Sequence, residues 1–182
     1  ERDMLSASAF EDWNPSHFTD LAKMTMALSI GYDWLYRRLS VHSRSIIGTA
    51  IYEKGLLASD SENATFWDAE HSDNQVCSAG LVYGALATLE RSPEYCKALI
   101  AKCVESNKQA QKMYEPHGVY AEGYQSWAYG SGFEAMLSAA LNSSLGDDAG
   151  LSAQKSFIRS AAFVNHLVAP SGLLYNFGNC SL

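Results

Sequence analysis

The stretch SHFTDLAKMTMALSIGYDWLYRRL, residues 16–39, decides the fold class. Phe18, Leu21, Ala22, Met24, Leu28, Ile30 and Leu35 return at roughly the spacing of one helix face. Ser16 follows Pro15 and offers a capping hydroxyl, so the run predicts a helix over 16–39. Its most apolar part, residues 24–36, is broken by Ser29, Gly31 and Asp33. That is short of the ~20 apolar residues a membrane span needs. The helix is therefore expected to pack against other helices.

Working outward, residues 41–57 predict a second helix, with Ile46, Ile47, Ala50, Ile51 and Leu57 on its apolar face. Residues 59–73 are polar and mixed and read as a loop anchored by Phe66 and Trp67. Residues 74–91 predict a third helix whose Ser78, Ala79, Gly80, Gly84, Ala85 and Ala87 would let neighbours approach closely. Ser92-Pro93 opens a fourth, with a cap and then proline at the first helical position, running to about residue 113. Glu115-Pro116-His117-Gly118 is a turn, and residues 119–131 show no clean period. A fifth helix is expected over 132–145 and a sixth over 152–168. Pro170-Ser171-Gly172 then turns the chain into a short strand at 173–177. Six helices with short connections predict an all-α fold of antiparallel pairs, as in bundles, solenoids and α/α toroids. The absence of a fixed repeat disfavours a regular solenoid.

Composition agrees with one globular domain over 1–182, since 47% of residues are hydrophobic and 18% charged. A formal charge of −7 argues against nucleic acid or an anionic membrane as a partner, since both require a dense basic surface. Cys96 and Cys103 lie two helical turns apart, ~10.5 Å along the axis, too far for a disulfide. With Cys77 and Cys180 they read as free thiols. The five histidines are scattered, and no metal, phosphate or dinucleotide motif is present, so neither metal nor cofactor is expected. The first residue is Glu1 and the last follows a strand-like stretch, so the chain reads as a piece of a longer protein.

Three segments concentrate aromatic and polar residues near predicted helix starts: Asp12-Trp13-Asn14-Pro15-Ser16-His17, His71-Ser72-Asp73-Asn74-Gln75, and residues 122–130 with Glu122, Tyr124, Trp127 and Tyr129. Helix-end loops can collect on one rim and line a cleft. Aromatic rings beside amides and carboxylates suit sugars, which pair apolar ring faces with hydroxyl edges. The same residues have plainer readings: Asn14, Ser16, Asp73 and Asn74 as caps, His17, Trp127 and Tyr129 as core.

Taken in order, Trp13-Asn14-Pro15-Ser16-His17-Phe18, Gly31-Tyr32-Asp33-Trp34-Leu35-Tyr36, Asn74-Gln75-Val76-Cys77, Glu122-Gly123 and Trp127-Ala128-Tyr129-Gly130 resemble the heparinase II/III family, and the resemblance runs to Asn176-Phe177-Gly178-Asn179-Cys180. It implies part of an incomplete (α/α) toroid, followed in the parent chain by a β-sandwich missing here. It also implies a polysaccharide lyase that cleaves uronic-acid glycans by β-elimination, in a periplasmic or secreted setting, with an acidic poly- or oligosaccharide as partner. The chemistry needs a neutraliser for the uronate carboxylate, a base for the C5 proton and an acid for the leaving oxygen. The resemblance assigns the catalytic parts to Asn74 and Tyr129, with Tyr124 as runner-up for the tyrosine. It assigns substrate contacts to His17, Asn14, Gln75, Glu122, Tyr124 and Trp127. His71 and Asp73 depart from it, standing where Asn and Trp are implied. The family's remaining catalytic histidine lies in later elements, so the piece alone is expected to be inactive.

Two alternatives stand beside the lyase. A glycoside hydrolase on an α/α toroid would need two carboxylates flanking the bond, for which Asp33, Asp73 and Glu122 are candidates. A non-catalytic glycan-binding helical module would bind without turnover.

Overall fold

The computed structural model describes residues 1–178 and 180. The protein is all-α, with seven α-helices among the described residues: α1 Arg2–Ser8, α2 Phe18–Leu35, α3 Val41–Ala50, α4 Ser72–Ala87, α5 Pro93–Ala110, α6 Tyr124–Leu145 and α7 Lys155–Phe163. They fall into two compact units. Unit 1 takes residues 1–67 and 77–103, and unit 2 takes residues 68–76 and 104 onward, so α4 and α5 contribute to both.

In unit 1, α2 buries Phe18, Leu21, Ala22, Thr25, Met26, Leu28, Ser29 and Tyr32, one stripe at three-to-four-residue spacing. Met24 and Ile30 lie at its margin and Leu35 is exposed, so the buried face is rotated from the one the apolar residues alone predict. Two hydroxyls share the stripe at little cost because they bond to their own helix: Thr25 Oγ1 donates to the Leu21 carbonyl at 2.8 Å and Ser29 Oγ to the Thr25 carbonyl at 2.6 Å. His17, not Ser16, occupies the N-cap position, and Ser16 Oγ instead donates to Asn14 Oδ1 at 2.8 Å. Gly80 of α4 lies directly on α2, where a Cβ would collide with the Ala22 carbonyl. The small-residue face read from the sequence is thus a close helix contact.

After α3, a π-turn at Ile51–Leu56 and a 3-10 turn at Leu57–Asp60 carry the chain onward, keeping Ile51 and Leu56 wholly buried. The helix predicted to residue 57 therefore changes its winding at Ile51. The loop that follows contains a 3-10 turn, Thr65–Asp68. Its Phe66 packs on Phe18 with ring centroids 4.9 Å apart, and the Lys102 ammonium sits 3.7 Å over the Trp67 ring. Cys77, Cys96 and Cys103 are buried free thiols and Cys180 is a half-buried one.

In unit 2 the core is built from Val76, Ala110, Tyr114, Tyr120, Leu137, Leu141, Leu151 and Leu167. The Tyr114 ring packs 5.1 Å from Tyr120 and 5.2 Å from Phe157 of α7. Helix α6 starts eight residues earlier than the apolar pattern predicts, at Tyr124 rather than residue 132. Its buried positions, Gly130, Glu134, Leu137, Ser138 and Leu141, have helical spacing, but three of the five are not hydrophobic. The sixth predicted helix shortens to α7, flanked by 3-10 turns at Leu151–Ala153 and Val164–His166. The strand expected at 173–177 does not form. A single bridge joins Val168 to Leu174, closed by Ala169 N–H to Leu173 at 2.8 Å and Tyr175 N–H to Leu167 at 2.7 Å.

Candidate functional site

The first polar segment belongs to unit 1, and it is a tight loop against the start of α2. Asn14 adopts a left-handed backbone, φ 62°, stabilised by its N–H donating to Asp12 Oδ1 at 2.9 Å. Its side-chain amide donates to Asp20 Oδ2 at 3.1 Å. His17 is exposed, with Nδ1 3.0 Å from the same Asp20 oxygen and 3.3 Å from Thr19 Oγ1. Lys23 holds the Asp20 carboxyl below the usual range, and Asn14 and His17 add to that. Asn14 and His17 thus present polar groups to solvent around one ionised carboxylate, and His17 is not a core residue.

The other two segments belong to unit 2. His71 and Asp73 are exposed, with His71 Nδ1 3.8 Å from Asp73 Oδ2. Asn74 and Gln75, one turn into α4, are wholly buried. The Asn74 amide donates to the Ala69 carbonyl at 3.0 Å and the Ser106 carbonyl at 3.1 Å, while its Oδ1 accepts from Ser106 Oγ at 3.2 Å. Both of its N–H groups are therefore spent inside the unit, tying the start of α4 to α5.

Gln75 anchors a larger buried network. Its Nε2 donates to Tyr114 Oη at 2.8 Å and Glu134 Oε2 at 3.1 Å, and its Oε1 accepts from Tyr120 Oη at 3.2 Å. Gln111 Nε2 donates to Glu134 Oε1 at 2.8 Å and to the Leu151 carbonyl at 2.9 Å. Gly130 makes this possible, because a Cβ there would occupy the space of Gln75 Oε1. Burial pushes the Glu134 carboxyl up to about 6, even though Gln75, Asn107 and Gln111 all favour the charged form. Burial likewise pushes Tyr114 up to about 12 and raises Tyr120. These groups hold α4, α6 and the 114–120 segment in register. They are no reservoir of protons for an external substrate, since Gln75, Tyr114, Tyr120 and Glu134 are all buried.

No family model and no curated protein matches the chain. Function has to be read from the site itself.

The third segment crosses this network at the start of α6. Glu122 Oε2 accepts from the Ser72 N–H at 3.3 Å, joining the segment to the first turn of α4. Gly123 precedes α6 with φ 91°, a left-handed-side backbone that a side chain would strain. A Cβ there would also strike the Phe177 carbonyl and Cys180 Sγ, so Phe177 and Cys180 lie against this turn. Tyr124 and Trp127 are half-buried, and the Trp127 indole N–H donates to Ser160 Oγ of α7 at 2.9 Å. Tyr129 is 38% exposed, its ring edge-on to Phe133 at 5.2 Å. Two residues apart on a helix is about 200° of rotation, so Trp127 and Tyr129 point to opposite sides of α6. One ligand on α6 would touch one ring or the other.

Unit 2 thus brings together Glu122, the first turn of α4 and the start of α6, with Asn74 and Gln75 beneath as support. Among the described residues no three His, Cys, Asp or Glu side chains are grouped as metal ligands. No helix among them is long and apolar enough to cross a membrane. The apolar reading missed Tyr114, Tyr120, Gln111 and Glu134, whose polar types resemble surface residues in a sequence. The signal they offered was spacing alone, Gln111 to Tyr114 and Gly130 to Glu134.

Proposed function

We propose that this chain contributes to a polysaccharide lyase that cleaves uronic-acid glycans by β-elimination, as part of an incomplete α/α toroid. The observation that carries the reading is the exposed Tyr129 ring on the second turn of α6, in the aromatic segment that begins with Glu122. In this reading the Tyr129 hydroxyl moves the proton between C5 and the leaving O4 of the glycan. Tyr124, the first residue of α6, is the alternative. Glu122, half-buried at the same turn, accepts hydrogen bonds from sugar hydroxyls. Exposed His17 and Asn14 offer similar polar contacts from unit 1. A periplasmic or secreted setting would give such an enzyme access to its polymer.

Asn74 fits its proposed part as neutraliser only if its amide leaves the Ala69 and Ser106 carbonyls. Without that change the charge on the uronate must be met by a different hydrogen-bonding or cationic group. This observation favours a second reading, a helical glycan-binding module without the chemistry.

The two readings separate on product chemistry. The chain, and the longest natural protein containing it, would be incubated with heparan sulfate, alginate, hyaluronan and chondroitin while ultraviolet absorbance is followed. Elimination creates a double bond conjugated to the uronate carboxylate, and absorbance rises. The lyase reading expects a rise with at least one glycan and its loss in Tyr129→Phe, by a factor of about 10² or more for a missing proton-transfer group. Binding without any rise would favour the module, and a rise undiminished in Tyr129→Phe would remove Tyr129 from the chemistry.

A further inference from the structure

Unit 2 contains a cavity of about 350 Å³ on the flank of α7. That is near the lower end of ordinary ligand pockets, roughly 300–1,000 Å³, and leaves room for a ligand of monosaccharide size. Arg159, Ala162 and Phe163 line it from one face of α7, and His166 follows one 3-10 turn later. His117 and Val119 line it from the turn that precedes α6.

That turn is fixed against α7 by backbone contact. Gly118 has φ 84°, and a Cβ there would strike the backbone of Ser156, Arg159 and Ser160. The Gly118 N–H donates to the Tyr114 carbonyl at 2.6 Å, and Ser156 Oγ donates to the Pro116 carbonyl at 3.1 Å. Helix α7 is in turn tied to α6, because Ser160 Oγ accepts the Trp127 indole N–H. The turn and the helix are therefore held together without using the side chains of His117, Arg159 or His166.

Those three side chains are exposed. None of them takes part in an ion pair or a side-chain hydrogen bond among the described residues. No carboxylate among the described residues lines the cavity, although the chain has 20 Asp and Glu against 13 Lys and Arg. Glu115, the acid nearest along the turn, has its Oε1 3.5 Å from Gln154 Nε2. A basic residue just past the end of a helix offsets the helix dipole, which accounts for His166. It does not account for His117, from a separate segment, meeting Arg159 around one cavity with no counter-charge.

We infer that this cavity binds an organic oxyanion, a carboxylate or sulfate carried on a sugar-sized skeleton, with Arg159 receiving the anion and His117 and His166 donating beside it. A guanidinium offers paired N–H donors that match two oxygens of either group. Each imidazole adds at least one N–H. Half-buried Phe163, with Val119 and Ala162, gives the skeleton an apolar surface to lie on. The site lies wholly within unit 2 and does not depend on the lyase reading, since it requires binding and no turnover.

The test is a titration of the 182-residue chain with glucuronate, glucose 6-sulfate and glucose at constant ionic strength, followed by 1H–15N spectra. The backbone amides of residues 117–119 and 159–166 should shift saturably with at least one of the two acids, and the one that responds names the anion. Glucose has the ring without the charge and should leave them in place. Arg159→Gln should weaken binding about tenfold or more, the loss expected for one charge-assisted bidentate pair. His117→Ala should weaken it severalfold. Both side chains are exposed, so each variant should keep the wild-type spectrum away from the cavity. Absence of a saturable shift with both acids would overturn the inference, as would an equal response to glucose or unchanged affinity in Arg159→Gln.

Discussion

Glu134 makes the stability of unit 2 depend on pH in the direction opposite to most carboxylates. Its side chain is wholly buried, and burial raises it from an ordinary value of 4.5 to about 6. Below pH 4.5 both folded and unfolded chains carry the proton, so nothing is lost. Between 4.5 and about 6 the unfolded chain releases a proton that the folded chain keeps, and stability falls as pH rises. Above about 6 the carboxylate is ionised in both states and the whole penalty is present. The difference corresponds to about 2 kcal/mol. Asp20 and Asp148, held below their usual range by Lys23 and by Ser152, run the other way and would mask the effect in the wild type alone. The measurement is therefore a difference between wild type and Glu134→Gln in urea unfolding, read by Trp127 fluorescence with the other three tryptophans replaced, from pH 4 to 7.5. Glutamine keeps one acceptor for Gln75 or Gln111 and loses the other, a cost of about 1–3 kcal/mol that removal of the ionisation penalty offsets near neutrality. Wild type should gain about 2 kcal/mol on Glu134→Gln as pH falls from 7 to 4.5. A difference constant to within about 0.5 kcal/mol would refute the burial argument.

Other perturbations probe the same frame. Asn74→Ala strands the Ala69 and Ser106 carbonyls and should lower stability by about 2–4 kcal/mol in thermal or urea unfolding; a loss under about 0.5 kcal/mol would return the amide to a role outside the core. Gly80→Ala drives a Cβ into the Ala22 backbone and should cost about 1–3 kcal/mol or more. Neutral or stabilising behaviour, the usual result for Gly→Ala on an open helix face, would show that α4 does not approach α2 so closely.

The structure also shows which parts of the sequence were readable and why. Helices α2, α3, α4 and α5 were legible because each repeats apolar or small residues along one face, or starts at a cap and proline such as Ser92-Pro93. The first eight residues of α6 were not, because the one position they bury is Gly130, which has no side chain where a hydrophobic pattern looks for Leu or Val. The aromatic segment around Trp127 was visible as composition, while the opposite facing of Trp127 and Tyr129 became visible only once both stood on one helix.

What the amino-acid order determined by itself is the all-α class, most helix positions and the exclusion of a Cys96–Cys103 disulfide, since these follow from periodicity, capping and short-range geometry. Only the tertiary structure decided what the polar residues do. Asn74 read equally well as a ligand or a cap, and Gln75 as a ligand, until α5, the 114–120 segment and α6 supplied Ser106, Tyr114 and Glu134 as partners across dozens of residues. A hydrogen bond depends on where the partner arrives in space, and a single residue's type carries no record of that.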